Sequence, residues 1–156
     1  MPVVFNPIVQ HFWVILLAFS AFNYWWANSD ATSRVPADKL TEARMYIRTF
    51  AIAGALPWVV MGAGQISGAT PTGWEYLRPH DGNLFVLGWF ALVCALCYAF
   101  AGWVFLAGGS KKVVEFNLLT AVMGQRGRKP PSEDMVKVVA ALGLLNPIWF
   151  YLWWFR

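Results

Sequence analysis

Residues 84–109 read LFVLGWFALVCALCYAFAGWVFLAGG, an apolar run without one Asp, Glu, Lys or Arg. A helix rises 1.5 Å per residue, so about 20 residues cross the ~30 Å hydrocarbon core of a bilayer. This stretch exceeds that length and predicts a transmembrane helix. Working outward, three further uncharged stretches are long enough to do the same, at about 8–27, 49–67 and 138–155. The fold expected is all-α: an integral membrane four-helix bundle, a single transmembrane domain over residues 1–156. Composition agrees, with 58% hydrophobic, 17% aromatic and 13% charged residues. A soluble domain carries about a quarter charged residues. The chain is therefore not disordered, fibrous or a disulfide scaffold, and nucleic acid is not an expected partner.

The net charge of +4 reflects topology rather than an anionic ligand. Arg34, Lys39, Arg44 and Arg48 fall in loop 28–48, and Lys111, Lys112, Arg126, Arg128, Lys129 and Lys137 in loop 110–137. Loop 68–83 holds Arg78 alone. The positive-inside rule makes the two basic loops cytoplasmic and puts loop 68–83 and both termini on the outer side. No Lys or Arg precedes Arg34, so the first span reads as a retained helix rather than a cleaved signal peptide. Aromatic belts close span one at Tyr24, Trp25 and Trp26 and span four from Trp149 to Phe155.

The loops carry their own signals. Pro36, Asp38, Lys39, Glu42 and Arg44 predict a helix start that runs on into span two. Val113–Met123 predicts an interfacial amphipathic helix between spans three and four. Its lysines would lie at headgroups, with Val114, Leu118, Leu119 and Val122 toward the acyl boundary. Ser132 predicts the cap of span four, with Glu133 and Asp134 in its first turn. In a membrane, helices associate where small residues let backbones approach. Ala91, Ala95 and Ala99 in span three, and Ala51, Ala55, Gly64 and Gly68 along span two, are the expected packing positions. Pro57 and Pro147 should kink their helices, and Asn146 is placed to hydrogen-bond a neighbouring one.

Chemistry is sparse. No ionisable residue lies in the middle of a span, which argues against a proton-coupled transporter. Cys94-Ala-Leu-Cys97 has redox spacing, but deep in hydrocarbon its thiolates are disfavoured, and packing is the better reading. His11 and His80 are the candidate metal ligands, with Glu75 and Asp81 nearby, yet no helical i, i+4 pair exists. No metal and no cofactor is expected. The strongest local signal is Trp74–Asn83, WEYLRPHDGN. Structurally, Asp81-Gly82-Asn83 makes a turn, Arg78 pairs with Asp81, and Trp74 and Tyr76 anchor the loop among headgroups. Functionally, Gln10, His11, Gln65, Glu75, Arg78, His80, Asp81 and Asn83 would form an outward-facing polar site.

Two segments, Leu56–Gly64 (LPWVVMGAG) and Arg78–Leu87 (RPHDGNLFVL), resemble a family of small bacterial integral membrane proteins with four predicted spans. Asn6-Pro7 before the first span is similar as well. The family is functionally uncharacterised, so the resemblance implies a multi-pass protein of the bacterial cytoplasmic (inner) membrane and transfers no catalytic residue. Three functions stay open. The first is a non-catalytic subunit, a homo-oligomer or an accessory chain of a larger membrane complex, with the lipid bilayer as its medium. The second is a homo-oligomeric ion channel or small-solute pore. The third is a membrane enzyme or metal-binding protein using the outer loop.

Overall fold

The apolar runs become helices whose ends are set by particular residues. In the computed structural model, which describes residues 11–77, 82–119, 122 and 130–154, no strand occurs among those residues. Helix α1 spans Phe12–Arg34 and stops at Val35, which is extended (φ −90°, ψ 132°). Pro36 follows it, and a residue before proline is pushed out of the helical region. One 3₁₀ turn, Ala37–Lys39, leads into α2, Leu40–Ile66, which continues through Pro57. Gly68 ends that helix at φ +75°, a conformation that suits glycine. A second 3₁₀ turn covers Gly73–Leu77.

Helix α3, Leu84–Leu106, begins at Asn83, whose side chain accepts from the Phe85 N–H at 2.9 Å. Gly108, at φ +69°, turns the chain into the short α4, Gly109–Glu115. Ser132 caps α5, Glu133–Leu144, by accepting from Met135 N–H at 3.2 Å. Leu145 interrupts the fourth apolar run, and α6, Asn146–Trp154, follows. Pro147 has no N–H to give, and the i→i−3 bond from Ile148 N to Leu145 O tightens the break into a turn. The expected single fourth span is thus two helices.

The long helices pack in chain order: α1 along α2, α2 against α3, α3 against α5. No packing of similar extent joins α1 to α5 among the described residues, so the helices form an open layer. One end is apolar-cored and ringed by charge. There Ala27 and Ala31 of α1, Ala43 and Ile47 of α2, Ala101 and Val104 of α3, and Val136 and Ala140 of α5 bury one another. At the opposite end Met61, Tyr76 and Val86 form a second core with Trp13, Trp58, Trp89 and Phe90 around it.

The segment after α4 departs most from expectation. Of the side chains expected at the acyl boundary, Leu118 and Leu119 are instead buried in the charged-end core with Val113 and Phe116. Val114 is partly buried against it, and Val122 stays 39% exposed. Asn117 adopts φ 49° and turns the chain inward, toward the middle of the layer. Val122 then lies at mid-height, where its carbonyl accepts from Asn23 Nδ2 at 3.4 Å and its side chain sits beside Gly54. Asn23 is only 2% exposed. The reason is packing: Val113, Phe116, Leu118 and Leu119 bury against apolar residues of α1, α2, α3 and α5. An interfacial helix would leave the same side chains with fewer dispersion partners.

Two helical segments, Ala37–Ile66 and Leu84–Leu106, are long and apolar enough to cross a membrane. Only 22% and 11% of their most apolar windows are buried. Large apolar side chains point outward along every long helix, including Ile15, Phe19, Ile52, Val59, Tyr98 and Leu142.

Candidate functional site

Three places carry more than packing. The first is the aromatic end, where the outer polar site was expected. Trp13 Nε1 donates to Gln65 Oε1 at 2.8 Å, tying the first turn of α1 to the last turn of α2. Gly62 permits this, because a Cβ there would lie 2.7 Å from the Trp13 ring. Tyr76, expected among headgroups, is instead fully buried, while Trp74 is exposed. The Tyr76 hydroxyl lies 3.3 Å from Thr70 Oγ1 and donates to Met61 O at 3.4 Å. Burial pushes its phenol upward, against the opposing pull of the Thr70 hydrogen bond. Gly64 leaves room for that hydroxyl, and its carbonyl accepts from Thr70 N–H at 3.0 Å. Gly64 therefore packs on the loop, and Gly68 is a turn residue.

Of the proposed polar residues, Gln65 is held by Trp13, and Asn83 spends its amide on Phe85 N–H and on Ala69 O, at 2.6 Å. His11 is exposed before α1, and Glu75 is half-buried in the 3₁₀ turn. Gln10, Arg78, His80 and Asp81 lie outside the described residues, as does the Arg78–Asp81 pair. Among the described residues no three His, Cys, Asp or Glu side chains converge as a metal site. Two buried donors, Gln65 Nε2 and Trp89 Nε1, have no acceptor among the described residues. Trp89 stands in a ring cluster with Tyr76 and Trp58, centroids 5.8 Å and 6.4 Å away.

The second place is the charged end. Lys39 Nζ meets Glu115 at 2.6 Å, and Lys112 Nζ meets Glu42 at 2.7 Å and Glu115 at 3.5 Å. These pairs clamp α4 onto the start of α2, and Lys112 also sits 5.1 Å over the Phe116 ring. The hydrogen bond from Lys39 holds the Glu115 carboxyl below its usual range, and Glu115 in turn raises Lys39. Lys112 is raised chiefly by its bond to Glu42. Sequence reading put Lys112 at lipid headgroups; its charge is engaged within the chain. Arg34 pairs with Asp30 one turn away on α1, and Ser110 Oγ reaches Glu133 at 3.3 Å.

The third place is the outer face of α3. Ala91, Ala95 and Ala99 are all exposed, so the chain's own helices do not use them. Gly88 and Gly102 lie on the same face by their helical spacing, and a Cβ at either would meet nothing within 4 Å. Leu84 and Leu106, 82% and 89% exposed, end the stripe on either side. Between those leucines nothing larger than alanine stands on this line. On the opposite side of α3, Cys97 accepts from Asn146 Nδ2 at 3.0 Å, the interhelix bond expected of Asn146. Cys94 and Cys97 are free thiols. Compared with known protein families, characterised proteins and solved structures, the chain matches none.

Proposed function

We propose that this chain is a non-catalytic, four-span membrane subunit that assembles through the outer face of α3, as a homo-oligomer or as an accessory chain of a larger complex. The spans are α1, α2, α3 and the broken pair α5–α6, with loops 28–48 and 110–137 cytoplasmic and both termini outside. The α3 stripe carries the reading. A helix face with only Gly and Ala across its middle offers lipid tails little to grip, but lets a second helix approach until backbones touch. Outward-facing apolar side chains on every long helix support a bilayer around the rest, since water would disfavour so large an apolar surface. Charge gathered toward one end of the helices supports it too. So does the resemblance to four-span bacterial membrane proteins of the inner membrane.

Intact mass in mild detergent tests this. The wild type should run as an assembly larger than the 17.5 kDa chain. Ala95→Leu, which forces backbones apart, should release the monomer while preserving its helix content. A monomeric wild type without co-purifying partners contradicts the proposal. A pore is the second reading, favoured by one observation: Val122 lies at mid-height, where its carbonyl accepts from the buried Asn23 amide, and polar groups at that depth are what a channel wall is built from. Ion flux in vesicles holding the purified assembly decides between the two.

A further inference from the structure

We infer that Arg44 and Arg48, on the outward face of α2, form a binding site for the phosphate of an anionic phospholipid in the cytoplasmic leaflet, an inference that rests on the membrane placement proposed above. The two arginines are exposed and one helical turn apart. Like charges at that spacing repel. Among the other described cations at this end, Arg34, Lys39, Lys112 and Lys137 each face an acid within 4.0 Å, and Lys111 does not. Arg44 has only the neutral Thr32 hydroxyl, at 3.3 Å, and Arg48 has no acidic partner among the described residues. An anion from outside the chain is what this pair lacks.

Its position selects the anion. Arg48 is the last charge before the uncharged run that begins at Thr49, the level at which an inner-leaflet phosphate lies. Directly along the same face stand Ile52 and Val59, 51% and 50% exposed, where an acyl chain would run. Guanidinium groups bind phosphate oxygens through two parallel N–H bonds, and each cation near an anionic leaflet adds to the attraction. A phosphodiester above and an apolar track below together describe a lipid rather than a free ion.

The test uses the full chain in mild detergent, by intact mass and by thermal midpoint. Phosphatidylglycerol should be retained on the order of tenfold more than phosphatidylcholine of the same chains, and should raise the midpoint. Arg44→Gln with Arg48→Gln should abolish that preference while melting cooperatively without lipid. Lys111→Gln with Lys137→Gln, an equal change in net charge, should keep it. The inference is overturned if the arginine double variant still prefers phosphatidylglycerol, if the lysine control loses the preference equally, or if the wild type has none. It is also overturned if millimolar inorganic phosphate stabilises the wild type as well as the lipid does. A chain recovered in the soluble fraction without detergent would instead defeat the membrane placement itself, so the two failures are distinct.

Discussion

Tyr76 shows how much a single side chain sets at the aromatic end. Its ring fills the space between α2 and α3, and its hydroxyl ties the 3₁₀ turn Gly73–Leu77 to Thr70 and Met61. Tyr76→Phe keeps the ring and removes both bonds. It should destabilise the protein by about 1 kcal/mol, or roughly 2–4 °C in the thermal midpoint for a chain of this size. An unchanged midpoint would mean the hydroxyl contributes nothing there. Sequence reading placed Tyr76 among headgroups because an aromatic in a short loop between spans looks the same whether it points up or in. The signal that distinguishes them is Gly64, a position without a side chain where the Tyr76 hydroxyl can enter. By contrast Ser132 was legible as a cap, because a short polar side chain before an acidic first turn has one productive use there, while Asn83, read as a turn residue, also caps its helix.

At the scale of elements, the junction of α2 and α4 is electrostatic and should respond to pH at both extremes. Glu115 is lowered from its usual 4.5, so its contribution is present above that value and is lost as pH falls through the lowered one. Lys39 and Lys112 are raised from 10.5, so theirs are present below that value and are lost as pH rises past it. The thermal midpoint should be flat between these limits and fall outside them. Because the groups are exposed, the fall should be small. Glu115→Gln should remove much of the acid limb, and an identical acid limb in that variant would disprove the assignment. The neighbouring 113–122 segment explains why sequence reading went astray. Its apolar spacing satisfies a helix facing lipid and a strap facing protein equally well, since in a membrane both surroundings are apolar. Only the apolar side chains that α1, α2, α3 and α5 turn toward it select the second for Leu118 and Leu119. The break at Leu145 was half visible: Pro147 announced a disturbance, but not that the helix would restart at Asn146.

On the scale of the whole molecule, the all-helical fold and the order of its helices followed from the uncharged runs between the basic loops. What followed less well was which face of each helix meets which neighbour. Small residues at four-residue spacing mark a close-approach face without naming the partner. In α2 Gly64 serves the chain's own loop, and in α3 the alanines serve nothing within the chain. Topology has a direct check. Single cysteines placed at Ser33 and Gln125, in a background with Cys94 and Cys97 changed to Ala, should react with an impermeant reagent from the cytoplasmic side, and one at Thr72 from outside. Reaction of Thr72 from the cytoplasm would invert the orientation.

Assembly through α3 is the claim on which the functional reading depends, and it is best examined in native membranes. Tyr98 is exposed at the flank of the Ala91–Ala95–Ala99 stripe, so a photoreactive phenylalanine there reports what lies against that face without crowding it. Phe19, exposed on α1, provides the comparison. On irradiation, position 98 should yield a cross-linked protein species of higher mass and position 19 should yield lipid adducts only. Lipid adducts alone at position 98, with the chain remaining at monomer size, would contradict the account.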